Sequence, residues 1–339
     1  MQILSAREAI RNHQQNDYNK WNSTKSDPKL ASERLLKDIY EPFIVPEFKF
    51  NRTDNVFTIG SCFARGLENA LSSEKISILS VTNEFDKYPI AGKGITRSGY
   101  MNKYNTYAIY YELLWALEHL NLKGEFFIEA GNGDYIDMHT NPTLVNSDFN
   151  TTLEKRNKLR KIFSKIKECQ MLTITLGLIE VWYDTKNDVY LNMTPGPRLL
   201  KKYPERFELR VLDYNENLSV LEKAYTLLLK HNPSLNIVVT VSPIPLQTTF
   251  TSKDIVVANM KSKSTLRVVA EAWADLHDNV HYFPSYEMAI LSNQNKVWIE
   301  DRRHLKGAMT QIIMEIFKKY YLNDYNNWDS QIERFRKKL

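Results

Sequence analysis

Two short segments that lie far apart along the chain carry residue types able to support nucleophilic catalysis. In the first, Ser61 follows Gly60 where an apolar run ends and a helical pattern begins. A serine in such a turn can hold its hydroxyl near the free N–H groups of a helix amino end, which stabilise developing negative charge. The alternative is that Ser61 only caps the following helix, as serine often does.

The second segment is a turn that contains Asp301 and His304. Their separation of three residues lets the carboxylate reach one imidazole nitrogen. The other nitrogen is then free to accept a proton from a serine hydroxyl. The alternative is a charged turn before a helix, in which Asp301 caps the helix and His304 is solvated. The two segments can act together only if the fold brings them to one place.

The hydrophobic pattern predicts the elements that would position these residues. Short apolar runs rich in β-branched residues predict about five strands, at 56–59, 76–81, 171–176, 235–241 and 280–283. Helical spacing of apolar residues predicts helices at 63–71, 109–120, 159–166 and 266–276, and a closing helix at 305–320. Such alternation predicts an α/β fold with a parallel sheet covered on both faces, and ligands at the carboxyl ends of its strands.

Changes in composition suggest how the chain is divided. Residues 1–50 are predicted to form a polar N-terminal arm, residues 51–320 the α/β domain, and residues 321–339 a basic C-terminal tail exposed to solvent. Within the domain we expect insertions around 84–150 and 183–207, because these segments are rich in turn-forming residues. The first insertion is a candidate lid over the active edge of the sheet.

Composition limits the classes of protein to which the chain can belong. It has 339 residues with 43% hydrophobic and 25% charged residues, which excludes a disordered or collagen-like chain. The formal charge of +5 is spread along the sequence, so nucleic-acid binding is not expected. No apolar stretch approaches the roughly 18 residues that would span a bilayer. Since no apolar core of a secretory signal is visible either, we expect a cytoplasmic location.

The sequence also argues against metal and cofactor chemistry. Its 7 histidines include no His-x-x-x-His pair, and its 2 cysteines, Cys62 and Cys169, lack zinc spacing and are too few for a disulfide framework. Neither a phosphate-binding loop nor a dinucleotide fingerprint is complete. We therefore expect no metal site and no tightly bound cofactor. Cys62 is expected to be a small core residue rather than a nucleophile.

The segment from Gly60 to Ala64 reads GSCFA, and it resembles the signature of the GSCFA family, a branch similar to the SGNH/GDSL hydrolases. Other stretches resemble the same family over roughly residues 40 to 320: Thr175–Trp182, Val241–Pro245, Ala258–Asn259, Ser262–Ser264, Tyr282–Glu287, and Glu300–Asp301 with His304. The resemblance implies an SGNH-like, flavodoxin-type three-layer α/β/α fold. It also implies acyl transfer through a serine ester, with Ser61 as nucleophile, His304 as base and Asp301 orienting the imidazole.

Two departures from the general SGNH pattern concern the site itself. Gly60 directly precedes Ser61, where that pattern has Gly-Asp-Ser. The third block has Glu180 three residues after Gly177 and lacks the asparagine whose side chain donates to the oxyanion. The remaining candidate donors are the N–H groups of Ser61 and Gly177 and the side chain of Asn105. Losing one donor of an oxyanion hole costs on the order of 10² to 10³ in turnover.

Four further residues are candidates for substrate binding. Glu180 and Trp182 could bind a sugar hydroxyl and stack on a sugar face, or could instead cap a turn and pack in a loop core. Asn192 and Arg198 lie on the second insertion and could contact substrate or simply face solvent.

These features lead to a functional hypothesis. The expected activity is an O-acyltransferase that moves an acyl group from acyl-CoA to a polysaccharide or glycan precursor, or else an acyl esterase. The alternative is a catalytically inactive SGNH-fold protein that binds glycans or serves in assembly. The sequence does not predict an oligomeric state.

Overall fold

The computed structural model describes residues 3–119 and 122–339. Residues 1 and 2 of the arm and Leu120 of the helix predicted at 109–120 lie outside the described residues. The strands are β1 (Asn55–Ile59), β2 (Ser77–Ile78), β3 (Ile128–Gly131), β4 (Asp134–Ile136), β5 (Met171–Leu176), β6 (Glu180–Asp184), β7 (Val189–Tyr190), β8 (Phe207–Val211), β9 (Asn236–Val241) and β10 (Val280–Tyr282). The helices are α1 (Ala6–Gln15), α2 (Ala31–Leu35), α3 (Cys62–Ser72), α4 (Thr106–Leu117), α5 (Phe149–Ser164), α6 (Pro197–Lys202), α7 (Tyr214–His231), α8 (Ile255–Leu276), α9 (Ser285–Leu291), α10 (Gln294–Val297), α11 (Gly307–Tyr321) and α12 (Trp328–Arg336).

A parallel sheet forms the centre of the molecule, with its strands in the order β2-β1-β5-β9-β10. These are the strands that the hydrophobic pattern predicts, although β2 is shorter than expected. The chain runs from β1 outward to β2 and then returns to β5 on the other side of β1. This reversal makes a crevice at the carboxyl ends of β1 and β5, which is where open α/β sheets bind their ligands.

Alternate residues of the strands pack against two different layers of helices. Phe57, Leu172 and Ile237 belong to a hydrophobic cluster that includes side chains of α4, α5, α7 and α8. Val56 and Val238 belong to the opposite cluster, with side chains of α3, α9, α11 and α12. Because both faces of the sheet are covered by helices, the three-layer α/β/α architecture implied by the resemblance is confirmed.

Buried charged groups join parts of the first insertion to one another and to α5. Lys103 Nζ lies 2.6 Å from Glu112, and the guanidinium of Arg156 pairs with both Glu112 and Asp137. The backbone N–H of Lys103 also donates to the carbonyl of Gly60 over 2.9 Å. The charged cluster thus holds the insertion together, and the backbone of Lys103 connects it to the turn that follows β1.

Some segments differ from the sequence-based expectation. The second insertion is not a plain loop, because it includes α6 and strands of an antiparallel sheet in the order β7-β6-β8. The segment predicted to be a solvated tail includes α12, which packs on the core through Ile332 at 3% exposure. Helix α7 is not among the predicted helices, although its buried residues have helical spacing. No helix in the described ranges is both long and apolar enough to cross a bilayer.

Candidate active site

Ser61 lies in a strained turn between β1 and α3. Gly60 has φ +146°, and a Cβ atom there would lie 2.6 Å from Thr175 Cβ, so only glycine fits. Ser61 is the N-cap residue of α3, yet its side chain makes no capping hydrogen bond. Its hydroxyl instead donates to Ser242 Oγ over 3.3 Å. The alternative in which the Ser61 side chain only caps the helix is therefore not what the structure shows.

A cavity of about 640 Å³ opens above Ser61 at the carboxyl edge of the sheet. Its lining includes Ser61, Gly177, Ser242, Arg303 and His304, and we refer to it as the Ser61 cavity. Residues near both ends of the sequence thus line one space at the point where the strand order reverses. Ser61 is only 5% exposed, and this cavity gives ligands a route to it.

Asp301 and His304 form the pair that their spacing predicts. Asp301 Oδ2 lies 2.6 Å from His304 Nδ1, while Oδ1 accepts the backbone N–H groups of Arg303 and His304, each over 2.9 Å. The hydrogen bond from the His304 ring, followed by the two backbone donors, lowers the pKa of Asp301 to about 2. Asp301 is thus ionised at neutral pH and both caps its own turn and orients the imidazole.

The other imidazole nitrogen faces a guanidinium. His304 Nε2 lies 3.1 Å from Arg303 Nη1. Since a guanidinium only donates hydrogen bonds, Nε2 is the acceptor, and the ring proton is on Nδ1 facing Asp301. His304 therefore has the tautomer that a general base requires. The lone pair of Nε2 faces Arg303 and not Ser61. For Nε2 to accept a proton from Ser61, the Arg303 guanidinium must move away from it when substrate binds.

Backbone donors for an oxyanion lie at the ends of β1 and β5. Among the described residues, neither the N–H of Ser61 nor the N–H of Gly177 donates to a protein acceptor. A Cβ atom on Gly177 would lie 2.5 Å from the carbonyl oxygen of Tyr104. This close approach explains why glycine is needed where β5 ends.

Lys263, on α8, is hydrogen-bonded to the backbone of Gly177. Its Nζ donates to the Gly177 carbonyl over 2.7 Å, and the residue is only 1% exposed. Burial, and then the positive charge of Arg303, lower the pKa of Lys263 to about 7. Within the part of the chain that the structure describes, no carboxylate is close enough to form an ion pair with Lys263. A buried cation without an anionic partner therefore lies one peptide away from a candidate oxyanion donor.

Asn105 does not act as the third donor in this structure. It is the N-cap residue of α4, where its Oδ1 accepts the N–H of Ala108 over 2.8 Å and its Nδ2 donates to the Leu191 carbonyl over 3.0 Å. The residue is 2% exposed and does not line the Ser61 cavity. The prediction that Asn105 contributes to an oxyanion hole is corrected, because its side chain already anchors α4.

The predicted substrate-binding residues divide between two places. Glu180, Trp182 and Asn192 line the Ser61 cavity, whereas Arg198 lines a neighbouring cavity. Both carboxylate oxygens of Glu180 accept hydrogen bonds, from Thr249 Oγ1 over 2.6 Å and from the backbone N–H of Phe250 over 3.0 Å.

Asn192 binds the backbone of the first insertion. Its Oδ1 accepts the N–H of Tyr104 over 2.9 Å, and its Nδ2 donates to the Asn102 carbonyl over 3.0 Å. The ring of Trp182 meets that of Phe250 edge to face at 5.2 Å. Glu180 and Asn192 thus hold the walls of the cavity in place, and Trp182 and Phe250 supply an aromatic surface.

Cys62 is exposed and lines the Ser61 cavity, contrary to the expectation that it is a core residue. It is the first residue of α3, and the helix turns the following residues, Phe63 and Ala64, into the core in its place. Its thiol must therefore be controlled for in any test of Ser61. In the described residues no group of three or more His, Cys, Asp and Glu side chains could hold a metal ion.

Sequence reasoning assigned no role to Ser242, Arg303 or Lys263. Ser242 directly follows β9, so the rule that singled out Ser61 at the end of β1 could have found it. Lys263 occupies a helical position in register with buried Leu266 on α8, which is an unusual place for a lysine and is itself a signal.

The chain is similar to known proteins in family and in structure. A model of the GSCFA family matches residues 55–317. None of the curated proteins matches the chain. Nine chains of solved structures match, among them a Clostridium thermocellum family 3 carbohydrate esterase. That esterase is 12% identical, with a TM-score of 0.32, and the alignment covers 84% of this chain and 98% of the esterase chain.

Proposed function

Because the chain belongs to the GSCFA family, we propose that it is a serine-dependent acyl-transfer enzyme that acts on carbohydrate. One observation carries the proposal. Ser61, Gly177 and His304 border a single cavity; among the described residues the N–H groups of Ser61 and Gly177 have no protein acceptor, and Asp301 orients the His304 ring. Nucleophile, oxyanion donors, base and orienting group are the parts that acyl transfer through a serine ester requires.

The chemistry follows from these positions. Ser61 Oγ attacks the acyl carbonyl carbon while His304 Nε2 takes the hydroxyl proton, and the N–H groups of Ser61 and Gly177 donate to the oxyanion. The C–O or C–S bond to the leaving group then breaks, and the leaving group takes the proton from His304. In the second half, His304 takes a proton from an incoming hydroxyl as that oxygen attacks the acyl-serine. The tetrahedral species collapses, and Ser61 recovers its proton.

A sugar hydroxyl or water can resolve the acyl-serine, which makes the protein an O-acyltransferase or an esterase. The aromatic surface of Trp182 and Phe250, in the same cavity as the polar side chain of Thr194, supports a sugar at this point. Acyl-CoA is the proposed donor for the transferase. Incubation with acetyl-CoA tests this choice, since a transferase releases CoA only when a glycan acceptor is present. Hydrolysis of an acetylated glycan without any dependence on CoA would instead identify an esterase.

Labelling with a fluorophosphonate probe tests the shared chemistry. Wild-type protein is expected to form a covalent adduct that Ser61→Ala abolishes and that His304→Asn slows strongly. Cys62→Ala is the matched control, because Cys62 lines the same cavity, and it should keep the label. Labelling that persists in Ser61→Ala, or that disappears in Cys62→Ala, would contradict the assignment of Ser61 as nucleophile.

A second candidate function is that of a catalytically inactive glycan-binding or assembly protein. It is favoured by the hydrogen bonds that the reactive groups already make, since Ser61 donates to Ser242 and His304 Nε2 contacts Arg303. In that case folded wild-type protein would not label, and glycan binding measured by calorimetry would survive Ser61→Ala and be lost in Trp182→Ala.

A further inference from the structure

A second cavity, of about 580 Å³, adjoins the Ser61 cavity. Three residues, Asn141, Met193 and Thr194, line both of them. We refer to the second space as the side cavity. Its volume falls within the range of small-molecule sites, roughly 300 to 1,000 Å³, and it adjoins the cavity that contains the proposed nucleophile.

The walls of the side cavity are built by the two insertions and not by the central sheet. Tyr100, Met138 and Leu144 come from the first insertion, and Leu199 comes from α6 in the second. All four are at most 6% exposed. The insertions thus enclose an apolar space that the core of the fold does not require.

The buried polar groups along this wall already have hydrogen-bond partners. Asp137 accepts Arg156 Nε over 2.6 Å and the N–H of His139 over 2.9 Å. Thr140 Oγ1 donates to the Asp137 carbonyl over 2.9 Å, and Lys155 Nζ donates to the Val145 carbonyl over 2.9 Å. The exposed side chains of Asn146, Thr194 and Arg198 also line the cavity, but against its buried wall a sugar would meet only polar groups that are already engaged, whereas a hydrocarbon chain needs no such partner.

We propose that the side cavity is the binding site for an acyl chain longer than acetyl, in the ester or thioester that Ser61 attacks. This inference rests on the proposed function; the apolar wall and the three residues that the two cavities share, Asn141, Met193 and Thr194, favour an acyl chain as the occupant. The glycan then occupies the Ser61 cavity beside Trp182, and the acyl chain extends from Ser61 past Met193 into the side cavity.

Gly196 provides a way to fill the side cavity without straining the backbone. It lines the cavity and has φ −61° and ψ 157°, values that any residue adopts. A Cβ atom at this position would meet no heavy atom within 4 Å. Gly196→Trp therefore adds a large side chain to the space, and Gly196→Ala, which adds a single methyl group, is the matched control.

The test compares p-nitrophenyl acetate, butyrate, hexanoate and octanoate as substrates. In wild-type protein we expect kcat/KM to rise by up to about fourfold for each methylene that enters the cavity. Gly196→Trp should lower the ratio of octanoate to acetate kcat/KM at least tenfold, while Gly196→Ala stays within twofold of the wild-type ratio. A wild-type profile that does not favour longer chains, or an unchanged ratio in Gly196→Trp, overturns the inference.

Binding of octanoate to Ser61→Ala protein, measured by calorimetry, separates this inference from the proposed function. The side cavity should bind octanoate without turnover, and Gly196→Trp in the same background should weaken binding at least tenfold. If wild-type protein hydrolyses no ester but octanoate binds in this way, the proposed function fails and the apolar site stands. If acetate is hydrolysed through Ser61 and octanoate does not bind, the side cavity is not an acyl site.

Discussion

Replacing Lys263 by methionine is expected to stabilise the folded protein near pH 6 while lowering its activity. Lys263 is buried, donates one hydrogen bond to the Gly177 carbonyl, and has the positive charge of Arg303 nearby. Methionine has a similar length and no charge, so it removes the buried ammonium without opening a large cavity. The structure therefore predicts opposite effects on stability and activity at this position.

The magnitude follows from the pKa of Lys263, which falls from the ordinary value of 10.5 to about 7 in the folded protein. At about 1.4 kcal/mol for each pKa unit, a protonated Lys263 costs the fold about 5 kcal/mol below pH 7. The variant also loses a hydrogen bond from a charged donor, which contributes about 1.5 to 3 kcal/mol. We expect the free energy of unfolding of Lys263→Met at pH 6 to exceed that of wild type by about 2 to 3.5 kcal/mol.

The sign of the pH dependence gives a sharper signature. Because the pKa of Lys263 is lower in the folded than in the unfolded chain, the unfolded chain binds more protons between pH 7 and 10.5, and wild-type stability rises with pH through that window. Lys263→Met lacks this contribution. Its advantage over wild type should therefore shrink by about 2.5 kcal/mol between pH 6 and pH 9.

Urea denaturation of both proteins at pH 6 and pH 9 measures this difference. Lys261→Met, at an exposed position two residues earlier on α8, is the matched control and should show neither the gain nor its pH dependence. Hydrolysis of p-nitrophenyl acetate by Lys263→Met should fall at least tenfold, since the Gly177 peptide loses its anchor. A variant that is less stable than wild type at pH 6, or whose stability difference does not change with pH, would contradict a lowered pKa for Lys263.

Three further substitutions test individual parts of the site. Gly177→Ala puts a Cβ atom 2.5 Å from a backbone oxygen, which should displace the Gly177 N–H and lower kcat by about 10² or more with an unchanged circular dichroism spectrum. Wild-type kcat would contradict the need for glycine where β5 ends. Asp301→Asn should lower kcat by on the order of 10² to 10⁴, because an amide no longer holds the His304 tautomer. The pKa of Asp301 is about 2, so Asp301 itself should not titrate above pH 4. A limb of the wild-type pH–rate profile above pH 4 that is absent from Asp301→Asn would contradict this role. Gly60→Ala should lower the free energy of unfolding, measured in urea, by about 2 kcal/mol or more, because Gly60 has φ +146° and a Cβ atom there would lie 2.6 Å from Thr175 Cβ. An unchanged free energy of unfolding would contradict the requirement for glycine in this turn.

The strands of the central sheet and the Asp301–His304 pair could be predicted because each depends on residues that are close in sequence. A buried parallel strand appears as a short apolar run, and β1, β5, β9 and β10 each do so. A spacing of three residues is enough to let a carboxylate meet an imidazole. The Gly60–Ser61 turn belongs to the same class, since its location follows from a strand end and a helix start.

The use of each polar side chain could not be predicted in the same way. Asn105 and Ser61 are both N-cap residues, and only the tertiary structure shows that the Asn105 side chain caps its helix while the Ser61 side chain does not. Cys62 differs from the expectation because the orientation of α3 on the sheet sets which of its first residues face the cavity.

The sequence alone determined the α/β class, the strand and helix periods and the turns that carry Ser61 and His304, because these depend on contacts between near neighbours in the chain. The tertiary structure decided which strand ends meet. Only there does Ser61 meet Ser242, 181 residues away, and Lys263 reach Gly177 across 86 residues. Such distant neighbours decide whether a polar group is paired or left without a partner. The order of the sheet therefore sets the partners of the candidate nucleophile and of the oxyanion donor. The packing of the insertions forms the side cavity.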